Sequence, residues 1–460
     1  MAADDDARLA AAVPARVSGL IDDLVGAGHA AFVVGGSLRD VFLGRGPDDW
    51  DLATDALPDR LVALFHGAVY ENRFGTVAVR RDDEVFQITT FRTEHEYADF
   101  RRPHRVEFGE DLGADLARRD FTINAMAWGR GPADAANHLV DSFGGREDVA
   151  TRTLRAVGDP GARFREDALR MVRAVRLAAT LGVTIEPATL AAIAANSELV
   201  GRLSGERIAA ELGKLLGAPA PSIGLRAAQE TGVLAAICPE LAAQRGIPQN
   251  KTAGEDLWDH TLRTVDAAPA DRPIVRLAAL LHDIGKPATF ADGHFHHHDS
   301  VGAATTESLL RRLRYPRSAA DEVVHLVRHH MFPVDPDATD AAIRRFIKRI
   351  GRDRLDALFA LRRADDIGSD VSPDDAGFLA FRARVEAELD AAVVLDRTAL
   401  AIDGTDLINE LALEPGPSLG RVLNELLERV IVDPGLNERG SLLLLAQGIL
   451  ADMGSDVVRP

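Results

Sequence analysis

The chain has 460 residues, 46% hydrophobic and 27% charged, a size and composition that fit a folded protein of two to four domains. A net charge of −18 excludes a general nucleic-acid coat protein, since phosphate neutralisation needs clustered cations, but leaves room for an RNA enzyme with a local basic channel. The single cysteine, Cys238, excludes an intramolecular disulfide and a multi-cysteine zinc site.

The acidic start, Met1-Ala-Ala-Asp-Asp-Asp6, lacks the basic and apolar parts of a secretory signal. No apolar run reaches the roughly 18 residues of a membrane helix, so a cytoplasmic location without membrane contact is expected. Ala31–Val34 then reads as a strand ending at Gly35-Gly36, and Trp50–Ala53 as a second strand. Val77–Arg80 and Val85–Phe91 read as a hairpin, with helices at Ser37–Leu43 and Pro58–Phe65 between the strands. From about Phe164 the period becomes helical. Helices are predicted at Glu166–Leu181, Pro187–Asn196, Gly205–Leu216, Ile223–Gln229, Trp258–Ala267, Val275–His282, Ala303–Leu313, Ala319–His330 and Asp340–Lys348. The fold class expected is an α/β head followed by mostly α-helical parts. Breaks are placed at Gly158–Gly161, Gln244–Gly254 and Gly368–Ala376.

Two constellations carry chemistry in the first half. Gly35-Gly36-Ser37-Leu38-Arg39 follows a strand and opens a helix. Glycines there let backbone N–H groups approach a phosphate chain, Ser37 offers a hydroxyl and Arg39 a cation; a plain turn fits the same residues. Ten residues past Arg39 stand Asp49 and Asp51. At i and i+2 of a strand both carboxylates face one site, where a pair of Mg²⁺ ions activates a hydroxyl and neutralises a leaving pyrophosphate. A third acid is sought at Glu84 or Gln87, and since Gln87 is neutral the two aspartates are expected to carry the metals alone.

Further on, Arg119 is suited to a triphosphate or ribose and Asp120 to holding an arginine, while Asp120 or Thr122 equally suits a helix N-cap. Asp167, Arg170, Arg173 and Arg176 recur at a step of three, which puts them on one helix face. A carboxylate beside a guanidinium presents acceptor and donor edges together, as reading a Watson–Crick edge requires. Periodicity alone favours a solvated, salt-bridged face.

The ordered motifs Gly35-Gly-Ser-Leu-Arg-Asp40, Asp49-Trp-Asp-Leu-Ala-Thr54, Phe74-Gly-Thr76, Thr89-Thr-Phe-Arg92, Arg118-Arg-Asp-Phe-Thr-Ile-Asn-Ala125, Asp141-Ser-Phe-Gly-Gly145, Glu166-Asp-Ala-Leu-Arg170 and Ser204-Gly-Glu-Arg-Ile208 with Glu211 span more than 200 residues. Together they resemble the CCA-adding tRNA nucleotidyltransferase and bacterial poly(A) polymerase family, the class II branch of the polymerase beta superfamily. The resemblance implies a palm-bearing head at 1–160, a helical neck and body at 161–245 and a helical tail at 371–460. It also implies that Asp49 and Asp51 are catalytic and hold Mg²⁺, and that Gly35, Gly36, Ser37, Arg39 and Arg119 bind nucleotide. By the same resemblance Asp167 and Arg170 pair with the base of CTP or ATP, Arg173 and Arg176 complete the site, and Thr93–Gly109 is the flexible loop after the palm. The implied partners are tRNA, CTP and ATP, for a monomer or homodimer; poly(A) polymerase and partial CC- or A-adding enzymes share these motifs.

Between 246 and 370, Trp258-Asp-His260, Leu280-Leu-His282-Asp283-Ile-Gly-Lys286 and Ala364-Asp365 resemble the HD phosphohydrolase superfamily. His260, His282, Asp283 and Asp365 supply a mixed nitrogen and oxygen ligand set for a divalent metal of unassigned identity. His298 and His330 sit where further metal-site histidines are expected, and His296 and His297 read as bystanders in an exposed loop. The implied activity is phosphoester hydrolysis; a phosphohydrolase with a vestigial transferase head is the reading from another reaction class.

Overall fold

The computed structural model describes residues 2–71, 75–97, 103–109, 111–249, 254–372, 375–391 and 395–455. The chain divides into two compact units, Met1–Ile247 with Ser308–Pro316, and Pro248–Glu307 with Arg317–Pro460. Among the described residues no helix is long and apolar enough to cross a membrane.

The first unit opens with helices Ala2–Ala12 and Ala15–Gly26, which the sequence reading does not mark. Its strands include β1 (Ala31–Val34), β2 (Asp51–Thr54), β3 (Val69–Tyr70), β4 (Thr76–Arg81), β5 (Glu84–Thr90), β6 (Arg92–Tyr97), β7 (Pro103–Phe108), β8 (Ala127–Arg130) and β9 (His138–Val140). Seven of them form one sheet in the order β3-β4-β5-β2-β1-β8-β9. Only β2 and β5 run parallel; the other neighbours are antiparallel. All four β1 residues are buried, so the sheet centre is covered on both faces. On one face Phe32, Val34, Ala53 and Ala127 pack with Phe91 and with Leu116 from helix Leu112–Ala117.

The segment Thr93–Gly109, expected to be a flexible loop, contains the antiparallel β6–β7 hairpin, registered from Arg92↔Phe108 to Tyr97↔Pro103. Residues 98–102 of that segment lie outside the described residues, as does Phe74 of the Phe74-Gly-Thr76 motif.

Downstream, the sequence predicts one helix over Glu166–Leu181, but the structure has two, Pro160–Glu166 and Leu169–Leu181. The break is local. Asp167 is extended at φ −140°, and its carboxylate accepts from the Leu169 amide at 3.0 Å, capping the second helix. Helix Gly205–Leu216 packs against Leu169–Leu181.

The second unit is mostly helical, with one short antiparallel pair of strands, Phe290–Ala291 and His294–Phe295. Helices Leu257–Ala267, Pro273–Leu281, His298–Arg312, Arg317–His329 and Leu355–Gly368 contribute to or adjoin a buried histidine cluster. Phe332, Phe346 and Phe381 cluster beyond it, with the Phe332 and Phe381 centroids 5.2 and 5.3 Å from Phe346 in tilted and edge-on contacts. Helices Gly404–Leu411, Pro417–Val432 and Arg439–Ser455 close a separate leucine-rich core around Leu407, Leu426 and Leu442.

Candidate active site and candidate metal centre

The first site follows from strand direction. Because β1 and β2 are antiparallel with Val34 opposite Asp51, the end of β1 and the start of β2 share one sheet edge. The chain leaves β1 through Gly35, whose φ of 84° favours glycine, and enters helix Gly36–Phe42. A Cβ on Gly35 would lie 3.3 Å from Arg119 Nη1, so the bare backbone lets that guanidinium approach the turn. Ser37 is buried and its Oγ has no hydrogen-bond partner among the described residues. A buried, unsatisfied hydroxyl at a glycine turn suits a phosphate oxygen.

Asp51 is the first residue of β2, whereas Asp49 precedes the strand. The two carboxylates are therefore not both strand residues, as their spacing predicts; Pro47 and the residues after it leave the extended ladder starting at Asp51. They still interact. Although Asp51 is exposed at the sheet edge, desolvation raises its carboxyl pKa, Arg119 opposes that shift, and the charge of Asp49 adds to it. An acid whose ionisation is opposed by burial and by a neighbouring carboxylate forms a place for cations. Neither residue considered as a third acid adds charge. Glu84 is tied to Arg16 at 2.7 Å at the hairpin end. Gln87 precedes Ile88, the β5 partner of Leu52, so it flanks Asp51 as a neutral side chain.

Around this edge runs a continuous polar network. Arg39 donates to Asp40 at 3.0 and 2.8 Å and to Asn124 Oδ1 at 2.6 Å. Asn124 donates to Asp120 Oδ1 at 3.1 Å, and Arg173 donates to Asp120 Oδ2 at 2.9 Å. Burial opposes ionisation of Asp120, but Arg173 and these hydrogen bonds win and hold its carboxyl below the ordinary value. Asp120 and Thr122 do not start a helix over Ile123–Met126; only a 3-10 turn, Thr122–Asn124, forms there. Arg176 donates to the buried Glu211 at 2.5 Å.

Asp115, only 1% exposed, receives Arg118 at 2.6 Å and Arg119 at 3.1 Å. Its spacing of three and four from those arginines is the helical signal that could have marked it as their anchor.

The base-reading pair is arranged differently from its spacing. Asp167 lies in the break, off the helix that carries Arg170, Arg173 and Arg176, so the four do not share one helix face. Arg170 is buried and donates to Glu166 at 2.8 Å and to the Arg118 carbonyl at 2.8 Å. Asp167 Oδ2 instead accepts from Arg207 Nη2 at 2.9 Å, and Arg207 Nη1 is buried without a partner among the described residues. Sequence reasoning quotes Arg207 within a motif but assigns it nothing, because no local period links it to Asp167.

The second site gathers His260, His282, Asp283, His298, His330 and Asp365. Gly285 permits its assembly, since a Cβ there would lie 2.2 Å from the His298 carbonyl oxygen. His298 is the first residue of a helix, not part of a loop, while His296 and His297 are exposed. Each histidine is oriented by a main-chain carbonyl. His260 Nδ1 donates to Gly368 at 3.1 Å, His282 to Ala279 at 2.8 Å, His298 to Phe295 at 2.8 Å and His330 to Val327 at 2.7 Å. A carbonyl only accepts, so Nδ1 carries the proton and Nε2 keeps its lone pair in all four rings.

The Nε2 atoms then converge on Asp283. His260 and His282 lie 3.5 and 3.1 Å from Asp283 Oδ2, and His298 and His330 lie 3.5 and 3.6 Å from Oδ1. Asp365 Oδ1 is 3.2 Å from His260 Nε2 and 3.8 Å from His282 Nε2. Two buried lone pairs, on His260 and His282, face each other at 3.1 Å. That contact is repulsive unless a cation sits against it, and among the described residues no donor reaches Oδ1 of Asp283, while Lys286 reaches Oδ2. The donors thus form two triads, His260–His282–Asp283 and Asp283–His298–His330, sharing one carboxylate. Burial lowers the His282 and His298 pKa values, favouring the neutral ligand form. Burial would raise the Asp283 carboxyl, but the charge interactions with His282 and with Lys286, 2.6 Å away, hold it well below the carboxylate range.

Three family profiles match the chain: the Poly A polymerase head domain over residues 31–155, a probable RNA and SrmB-binding site of polymerase A over 182–245, and the HD domain over 235–369. A CCA-adding enzyme of Streptococcus suis is 31% identical over 442 residues, covering 94% of this chain and 96% of that one. The chain belongs to the CCA-adding enzyme family. Against the CCA-adding enzyme of Geobacillus sp. strain WCH70, identity is 45% over 219 residues, 47% of this chain and 53% of the relative. The chain thus spans about half the length of that relative. Among solved structures, the Bacillus stearothermophilus CCA-adding enzyme in complex with CTP superposes with a TM-score of 0.70 at 28% identity, covering 96% of this chain and 98% of that one. Nucleotidyltransferase and HD families use divalent metals, in keeping with both carboxylate sites.

Proposed function

We propose that the protein adds C, C and A to the 3′ end of tRNA from CTP and ATP, without a template and with release of pyrophosphate. The observation that carries this reading is the placement of Asp51, with Asp49 before it, beside the Gly35–Gly36 turn and Arg119 at one sheet edge. Asp49 and Asp51 hold Mg²⁺ in a two-metal arrangement; Gly35, Gly36, Ser37, Arg39 and Arg119 bind the triphosphate. Asp167 and Arg170 read the base, and Arg173 and Arg176 brace the nucleotide site through Asp120 and Glu211. At either site a bound divalent ion supplies charge neutralisation on phosphate oxygens and lowers the pKa of a coordinated water or hydroxyl.

We read 1–160 as head, 161–245 as neck and body, 246–370 as HD domain and 371–460 as tail, in a cytoplasmic protein. The spans of the matching profiles support the first three divisions. The test is incubation of the chain with tRNA lacking its terminal nucleotides, with CTP and ATP separately and together. Extension by two nucleotides with CTP alone and by three only when both are present is expected; long A tails, or addition of only C or only A when both are present, overturn it.

The two triads sharing Asp283 favour a second, additional activity, hydrolysis of phosphoesters such as cyclic 2′,3′-phosphates at RNA ends. The His260, His282, Asp283 and Asp365 set holds one ion and Asp283, His298 and His330 a second, while Lys286 faces the substrate phosphate. Release of phosphate or opening of the cyclic ester, dependent on an added divalent ion, tests it.

A further inference from the structure

A second cluster of cations lies in the second unit, outside the metal centre. On helix Arg317–His329, residues His325, Arg328 and His329 fall at i, i+3 and i+4 and so share one face. The two imidazoles lie with centroids 4.5 Å apart, and a backbone hydrogen bond ties His325 to Ile350 at the end of helix Asp340–Ile350. Arg349 and Arg354 come from that helix end and the turn after it. Arg328 and Arg354 bear electrostatically on both imidazoles, and Arg349 on His329.

Arg328, Arg349 and Arg354 are exposed, and among the described residues none of them makes an ion pair. Arg344, Arg345 and Lys348, on the same helix as Arg349, are ion-paired at 2.6, 3.0 and 2.9 Å. Carboxylates are not absent from the surroundings. Asp299 acts on His329, and Glu322 and Asp353 line an open cleft of about 360 Å³ with Ser318, Gly351 and Arg354, yet neither reaches a guanidinium closely enough to pair. His325 Nε2 is buried and has no hydrogen-bond partner among the described residues. In a chain of net charge −18, three clustered, unneutralised guanidiniums repel one another, and an anion offsets that cost. Guanidinium forks match phosphate oxygens, and their exposure suits a polyanion with repeating phosphates more than one enclosed phosphate.

We propose that Arg328, Arg349 and Arg354, with His325 and His329, form a docking site for RNA backbone phosphates on the second unit. The inference rests on the reading of tRNA as substrate. Binding of the full chain to a tRNA transcript, measured from 50 to 200 mM salt, tests it with Arg349→Ala/Arg354→Ala. The expected result is several-fold weaker binding at low salt, with the slope of log K against log salt shallower by about 0.7–0.9 per lost contact. Arg349→Lys/Arg354→Lys restores the slope, and the turnover rate at saturating tRNA and the melting temperature stay at wild-type values. Unchanged affinity and slope in the alanine variant overturn the proposal. So does loss of inorganic pyrophosphate binding with tRNA binding intact, which assigns the cluster to small phosphates. A wild-type chain that binds RNA through this cluster but adds no nucleotides overturns the nucleotidyl-transfer reading and leaves the docking site standing; one that binds no RNA overturns both.

Discussion

The Asp167 carboxylate is held at 2.9 Å by Arg207, from a helix forty residues on, and not by Arg170. Arg170 spends its donors on Glu166 and on the main chain of Arg118. The acceptor and the donor of the proposed base-reading edge are thus positioned by different elements. Arg207→Ala is expected to let Asp167 swing while leaving Arg170 in place. Misincorporation of UTP or GTP should rise by about 10- to 100-fold, the discrimination carried by one bidentate pair. Competition assays with mixed nucleotides measure it, and unchanged selectivity would remove Arg207 from the reading mechanism.

Asp49→Ala and Asp51→Ala should each lower nucleotide addition by at least about 10³-fold while tRNA binding persists, because the loss is of charge stabilisation at the reacting phosphates. Asp51→Asn adds a separate expectation. Desolvation raises the Asp51 pKa, so its ionised form is disfavoured in the folded chain at neutral pH. The neutral amide should therefore keep or raise the melting temperature in metal-free buffer, as site residues held against stability do. A marked fall in melting temperature would contradict that electrostatic account.

Sharing of Asp283 predicts unequal metal stoichiometries. Asp283→Ala should remove both divalent ions held at the histidine cluster, while His298→Ala or His330→Ala leaves one there. Elemental analysis after loading and desalting measures this. Asp283→Ala should leave CCA addition intact, and equal metal loss in all three variants would exclude two separable sites.

The Asp120 pair predicts a pH window. Its folded pKa lies below the unfolded value, so its stabilisation is fully present above about pH 4 and is lost as pH falls through the lower folded value. Asp120→Asn should cost about 1.5–3 kcal/mol at pH 7, toward the lower end because Arg173 is partly solvated. Urea melts should show the gap between variant and wild type narrowing only below about pH 4. A constant gap down to pH 2 would mean the effect is packing, not charge.

The head was legible because its strands are short apolar runs stopped by Gly35-Gly36 or by the Arg81–Glu84 turn, and chain-local patterns report such features directly. The break at Asp167 was not. Glu166-Asp-Ala-Leu169 is compatible with a helix throughout; the break comes from the Asp167 side chain capping Leu169 and bonding to the distant Arg207. Similarly, His260, His282, Asp283 and Asp365 stand out by residue type, but sharing of Asp283 between two triads depends on the approach of helix His298–Arg312 to Gly285. Sequence shows which ligands exist; only packing shows which of them meet.

The antiparallel register that sets Val34 opposite Asp51 separates two kinds of spacing. The ten residues from Arg39 to Asp49 cross an exposed connection through Gly44 and Gly46, and that length can drift without moving the aspartate from the glycine turn. A single residue inserted within β2 is a different event. It turns the carboxylate to the opposite face of the sheet and brings an apolar side chain to the phosphate turn. Across descendants of this chain, insertions should collect between Leu43 and Asp48 and be absent between Asp51 and Thr54. The conserved quantity would be the strand pairing, with the motif interval free to vary.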